Sequence, residues 1–232
     1  MIFLFGFFIT FFTFYISKIL YKKYPSFLTH PVLLPSVIII FVLLIFQIDY
    51  SVYEKGGQIF TFFLNPAASS LAYLLYKKWD IIKKYAKEVV ITVIISSILG
   101  VISSYIFVLF LGGERKTALS MVPKSVTTPI AIKISQVIGG VPSLTAVFVI
   151  ITGITGAIFG PVLLKFFGID NPIAWGLSMG ISSHGIGTAR AVEEGELQGA
   201  VSGVGFILMG LFTAIFAPFV IFLLNLLLVF LT

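Results

Sequence analysis

The stretch Pro123-Lys124-Ser125-Val126-Thr127-Thr128-Pro129-Ile130-Ala131 decides how this chain folds. It stands among apolar runs long enough to cross a bilayer, yet it is polar and carries a lysine and two prolines. Each proline lacks a backbone donor and disfavours helix in the residue before it, so a straight helix through 117–138 is not expected. Ser125, Thr127 and Thr128 precede Pro129, which suits the first position of a new helix. The stretch therefore predicts a helix start inside the membrane, with 129–138 as a half-length helix.

A second polar stretch, Ser182-Ser183-His184-Gly185-Ile186-Gly187-Thr188-Ala189-Arg190-Ala191, takes the matching place later in the chain. There Ser182 or Ser183 is placed to cap a helix through Thr188 to Glu194, loosened by Gly185 and Gly187. A third start is expected at Asn65-Pro66, with asparagine as cap and proline as first helical residue. The twelve residues from Asn65 to an interfacial Lys77 cover ~18 Å, which sets that start near the bilayer midplane. Bare helix ends in hydrocarbon cost several kcal/mol per unsatisfied group, so they persist only when buried in protein or lining a wet cavity. Such an end presents free amides and about half a positive charge, and it favours anions.

The rest of the composition sets the class. Of 232 residues, 59% are hydrophobic and 10% charged, far below the roughly 25% charge of soluble domains. The expected fold is an all-α polytopic membrane protein of about eight membrane elements, two of them repeat-related interrupted or re-entrant segments, with no separate soluble domain. Residues 1–58 would supply two scaffold or oligomerisation helices, about Met1 to Ser17 and Val32 to Ile48, followed by a polar loop broken at Gly56-Gly57. Residues 59–232 would form a transport core. The apolar start lacks a preceding positive charge and a small-residue cleavage site, so it reads as a retained helix, not a signal peptide. There is no cysteine, hence no disulfide or thiol chemistry.

The net charge of +6 is an orientation signal and implies no nucleic-acid partner. Lys18, Lys22 and Lys23 fall two crossings before Lys77, Lys78, Lys83, Lys84 and Lys87. The positive-inside rule puts both clusters in the cytoplasm and the N-terminus outside. A bacterial plasma membrane and a homo-oligomeric assembly are the expected setting.

From residue 90 onward the chain repeats itself. Ala157-Ile158-Phe159-Gly160-Pro161 recurs 57 residues later as Ala214-Ile215-Phe216-Ala217-Pro218. Ser120-Met121 matches Ser178-Met179, and Gly139 matches Gly195. The unit is one apolar helix and one interrupted segment, about 89–140 and 146–196, followed by a final helix at 198–231. Internal repeats of this kind belong to transporter architectures. Crossing and re-entry of the interrupted segments both remain open. Re-entry would leave the uncharged Gly139-Gly140 outside and Lys165 inside, which the charge rule favours.

All nine acidic residues lie at loops or expected helix ends, so no carboxylate stands at depth. The ionisable residues at depth are Lys124, Lys133, His184 and Arg190, and an intramembrane charge is a functional candidate by default. Lys133 reads as interfacial and Lys124 as the deeper cation. Arg190 either grips a carboxylate with its fork or reaches the interface beside Glu193 and Glu194. His184 either carries a coupling proton or packs as a hydrogen-bonded residue. A site rich in amides, hydroxyls and cations suits a small anion. The expected substrate-binding set is Asn65, Lys124, Ser125, Thr127, Thr128, Ser183, His184 and Arg190. No metal-ligand cluster and no nucleophile–base pair is present, and His184 is too close in sequence to Ser182 and Ser183 to form a triad with them. No enzyme activity, cofactor or metal is expected. Gly153, Gly156 and Gly160, and later Gly199 and Gly203, would allow close helix approach.

At these residues the sequence resembles the LrgB/CidB family. The matching runs are Leu64-Asn65-Pro66-Ala67 with Leu71-Ala72-Tyr73, the stretch 123–131, Gly139-Gly140-Val141-Pro142-Ser143-Leu144-Thr145-Ala146, and Ser183 through Ala191. They extend over nearly the whole chain; Lys133 stands where the family carries an acidic residue. The resemblance implies one of two functions. One is carriage of small 2-oxo or 2-hydroxy monocarboxylates such as pyruvate, glycolate or glycerate, as in the plastidic glycolate/glycerate translocator. The other is control of murein hydrolase export and autolysis together with a holin-like LrgA or CidA partner.

Overall fold

The computed structural model describes residues 2–24, 26 and 28–231, without the side chains of 2, 3, 64, 65, 67, 68, 71 and 227–231. Over these residues it is helical and contains no strand. It divides into two compact units, 1–71 and 72–232.

The first unit holds α1 (Ile2–Lys23), α2 (Leu33–Ile45) and most of α3 (Tyr50–Lys77). At 13 residues, α2 is ~20 Å long, shorter than a span and shorter than the expected 32–48. The expected breaks at Gly56-Gly57 and Asn65-Pro66 are absent, because α3 runs through both. Gly56 serves close approach instead. A Cβ on Gly6 of α1 would meet the Tyr53 carbonyl and, at 3.0 Å, the Gly56 Cα. Beside this crossing Phe7 stacks on Phe60 with centroids 5.4 Å apart, and the Thr10 hydroxyl donates to the Tyr53 hydroxyl at 3.1 Å. Pro66 removes one donor, and a helix in an apolar setting tolerates that loss where its neighbouring bonds persist. The third expected helix start therefore does not form.

The second unit contains α4 (Trp79–Lys84), α5 (Ala86–Phe110), α6 (Arg115–Met121), α7 (Thr128–Ile138), α8 (Pro142–Phe166), α9 (Pro172–Glu194) and α10 (Glu196–Leu231). Among the described residues of the whole chain, α1, α5, α8 and α10 are long and apolar enough to cross a membrane. The expected eight elements thus reduce to four such helices, with shorter or broken ones between them.

The two interrupted segments are hairpins. In the first, α6 leads into 122–127 and α7 comes back. The Val141 amide donates to Ser120 Oγ at 2.8 Å, so the end of α7 lies beside the end of α6. The Thr145 hydroxyl on α8 closes the hairpin, donating to the Ser120 carbonyl at 2.9 Å and contacting Ser135 Oγ at 2.7 Å. Gly140 has to be small there, since a Cβ would stand 3.0 Å from the Ser120 nitrogen. Gly139 ends α7 at φ +87, a left-handed position that favours glycine.

The second hairpin is α9 folded on itself. Its backbone leaves the helix at Ser183 (φ −132, ψ 17) and His184 (φ 43, ψ −134). The limb before the break runs alongside α10 in the same direction: Gly176 abuts Gln198 and Gly180 abuts Ser202. The limb after the break runs in the opposite direction, with Thr188 Oγ1 2.9 Å from Ser202 Oγ and Val192 against Gly199. Thr145 and Ser202, 57 residues apart, thus do the same work in the two hairpins.

The groove for the second hairpin is cut by glycines on α8. A Cβ on Gly160 would strike Met179 Sδ at 2.6 Å, one on Gly156 would strike Ser183, and one on Gly153 would stand 2.9 Å from the His184 imidazole. The expected small-residue seam is therefore real on α8. On α10 it is Gly199 that meets Val192, whereas Gly203 faces open space. Gly176 and Gly180, four residues apart on one helix face, carry the packing of α9 on α10.

At one end of the unit Glu196 accepts from Lys77 at 2.7 Å and from Lys78 at 3.3 Å. Lys77 and Glu196 are exposed and Lys78 is half-buried, so solvent screens the pairs and they contribute little to stability. Glu196→Gln is expected to shift the thermal midpoint in detergent by no more than a few degrees. The ion pairs also set the α9–α10 junction at the same end of the unit as α4.

Candidate functional site

The tips of both hairpins open into one cavity of about 550 Å³. It is lined by Ser96, Leu99, Gly100, Ile102 and Ser103 of α5, Ser125 of the first tip, Ile181 and Ser182 of the second, and Met209 of α10. Four of these residues are serines, and among the described residues no carboxylate lines it. The position is central. Thr128 starts α7 ~15 Å before its end, and Gly153 and Gly156, which seat the second tip, fall midway along the 25 residues of α8.

The first tip is built by its prolines. Pro123 is buried and Pro129 occupies the first turn of α7, so 122–127 cannot continue the helix of α6. Thr127 is the N-cap in an extended conformation (φ −64, ψ 146), as expected for a helix start at this point. Its hydroxyl makes no capping bond. The Lys124 amide donates to the Met121 carbonyl and the Val126 amide to the Pro123 carbonyl. The Ser125 and Thr127 amides find no carbonyl among the described residues. Ser125 is 8% exposed and carries the Lys124 ammonium at 3.4 Å. Among the described residues no carboxylate pairs with Lys124. The tip thus offers two unbonded amides, a buried hydroxyl and an uncompensated cation, a set that suits a carboxylate.

The second tip divides its side chains between two faces. Ser182 lines the cavity; its hydroxyl donates to the Ser178 carbonyl at 2.7 Å and lies 3.0 Å from Ser183 Oγ. Ser183 and His184 turn to α8 instead. His184 Nε2 bonds the Val149 carbonyl at 3.1 Å, which requires the Nε2–H tautomer. The Gly153 site, bare of a Cβ, lets the ring approach. A non-glycine residue at φ +43 costs about 1–3 kcal/mol, and this bond holds it there. The bond to Val149 thus anchors His184 within the turn.

Of the expected set, Ser125 lines the cavity, and Lys124, which does not line it, reaches the Ser125 hydroxyl. Thr127 and Thr128 stand at the start of α7 beside it, half-buried. Ser183 and His184 lie behind the second tip. Arg190 is in the outgoing limb of α9, paired with Glu194 at 3.2 Å and Glu193 at 3.6 Å. The Asn65 side chain lies outside the described residues. The sequence reading missed Ser96, Ser103 and Ser182. Ser182 was considered only as a cap. Ser96 and Ser103 stand seven apart on α5, a spacing that shares one helix face, but nothing in the sequence says which face meets the tips.

The LrgB-like family model matches residues 10–223. The chain belongs to the LrgB-like family. Among its relatives, "Uncharacterized protein YwbG" of Bacillus subtilis (strain 168) is 38% identical over 205 residues, covering 88% of this chain and 91% of that one. "Holin-like protein CidB" of Staphylococcus epidermidis is 37% identical over 215 residues, covering 90% and 92%. The protein of the same name from Staphylococcus aureus (strain N315) is 36% identical over 210 residues, covering 90% and 92%. No solved structure matches the chain. Membership of the LrgB-like family, together with the four long apolar helices, makes this a membrane protein.

Proposed function

We propose that this LrgB-like protein is a membrane carrier for small monocarboxylates, pyruvate, glycolate and glycerate among them. The reading rests on one observation: two hairpin tips from separate parts of the chain share a serine-lined cavity without carboxylates. One fixed cation, Lys124, stands beside it, which matches a ligand of single negative charge.

An internal repeat supports the same reading. Each copy runs long helix, hairpin, long helix, and the hydroxyls of Thr145 and Ser202 tie the hairpins in equivalent fashion. Because α8 separates the hairpins by one membrane length, they would enter from opposite sides, an inverted arrangement suited to alternating access. With the Lys77–Glu196 pair at its base, the second hairpin would enter from the lysine-rich side, which the positive-inside rule makes cytoplasmic. Single cysteines at Glu114 and Val141 should then be labelled from outside, and at Lys165 and Glu193 from the cytoplasm. Labelling of Glu114→Cys and Val141→Cys from opposite sides would sink the re-entrant topology. Purified protein in liposomes should show saturable pyruvate or glycolate uptake with exclusion of larger dyes.

A second reading has the relatives' printed names in its favour over the first. Proteins called holin-like and CidB suggest a regulator of murein hydrolase export and autolysis, working with an LrgA/CidA-like membrane partner. That function needs no unbonded amides or buried cation at the centre of the fold. It predicts non-saturating leakage that admits dyes, and dependence on the partner.

A further inference from the structure

We infer that the α5 wall of the cavity, Ser96, Gly100 and Ser103, reads the non-carboxylate end of the substrate and selects acids oxygenated at the second carbon. The inference rests on the carrier reading above and extends it to three residues outside the tips.

Helix α5 carries four serines near its middle, and they behave as two pairs. Ser97 and Ser104 are buried and spend their hydroxyls on their own helix, donating to the Ile94 carbonyl at 2.8 Å and the Gly100 carbonyl at 2.5 Å. Ser96 and Ser103 line the cavity. Among the described residues the Ser96 hydroxyl has no partner, and Ser103 reaches only the Gly100 carbonyl, at 3.3 Å, which Ser104 already holds. Two serines thus line the cavity, Ser96 with its hydroxyl uncommitted and Ser103 with only one long bond inside its own helix, across from a tip whose amides and ammonium suit a carboxylate.

Gly100 stands between them on the same helix face, and packing does not require it. A Cβ there would meet only Met209 Cε, at 3.7 Å, an ordinary contact. Glycine is the least favourable non-proline residue inside a helix, so its presence without a packing reason points to the space it leaves. That space lets both hydroxyls reach one ligand atom. A hydroxyl or keto oxygen on the carbon next to the carboxylate suits the pair, since a serine can donate to either and accept from the former.

The test is competitive uptake of pyruvate, glycolate and propionate into liposomes containing purified protein. The wild type should favour both oxygenated acids over propionate. Ser96→Ala and Ser103→Ala should each lower the ratio of their flux to that of propionate by roughly five- to tenfold, and the double variant by more. Gly100→Ala, which the fold accommodates, should lower the same ratio by about tenfold or more because its methyl stands between the hydroxyls. Ser97→Ala, outside the cavity, should keep the wild-type ratio. A wild-type ratio retained in both the double variant and Gly100→Ala overturns this assignment and leaves the carrier reading standing. Absence of saturable uptake of every acid by the wild type overturns both.

Discussion

Lys124→Met is expected to lower saturable uptake of pyruvate or glycolate roughly 100-fold while the protein still folds. The ammonium is half-buried, holds only Ser125 Oγ at 3.4 Å, and has no carboxylate partner among the described residues. A carboxylate in the cavity would supply the missing countercharge, and a charge-assisted hydrogen bond in such surroundings contributes about 3 kcal/mol, or ~100-fold in affinity. Methionine keeps most of the side chain's length and volume. Removing an uncompensated cation from a protein interior relieves a desolvation cost, so the thermal midpoint should hold or rise. Lys124→Arg should fall in between, keeping the charge but demanding a wider, planar approach. Undiminished uptake in Lys124→Met would remove the cation from the site. A collapse in thermal stability would make it a structural residue instead.

Gly156→Ala should destabilise the second unit by about 2–3 kcal/mol. The added Cβ would overlap the Ser183 hydroxyl and stand 2.7 Å from Ser183 Cβ, at the one place where α9 reverses. The turn has little freedom to yield, because His184 is held at φ +43 by its bond to the Val149 carbonyl. Thermal unfolding in detergent would measure the loss. Gly203→Ala is the control: nothing lies within 4 Å of its Cβ position, so it should be neutral or stabilise by up to about 1 kcal/mol. Adding Ser183→Gly to Gly156→Ala removes both clashing atoms and should recover part of the stability. An unchanged midpoint for Gly156→Ala would mean that the α8–α9 seam is looser than the structure has it.

Both predictions draw on features that the sequence exposes unevenly. Pro123 and Pro129 announce a helix start at Thr127-Thr128, since a missing donor and a fixed φ act locally. The break at Ser183-His184 is marked by polar residues and glycines in an apolar context. Asn65-Pro66 carried a similar mark and misled, because a single proline can be absorbed in a continuous helix. Gly56-Gly57 misled for another reason: glycine signals both chain reversal and close packing, and only Gly6 on the neighbouring helix decides between them. His184 and Arg190 had two readings each. The fold sets His184 against the Val149 carbonyl on another helix and Arg190 beside Glu193 and Glu194 on its own.

The sequence by itself determined the membrane class, the family, the positions of the two interruptions and the central placement of Lys124. These follow from composition, from local backbone chemistry and from matched residue runs. Only the tertiary structure decided that the interruption at 123–131 is the tip of a hairpin, that a second tip meets it, and that Ser96 and Ser103 face both. Direction of return and choice of helix face are set by contacts between residues far apart in the chain, such as Val141 with Ser120 and His184 with Val149. Helical periodicity says which residues share a face; it does not say what that face meets.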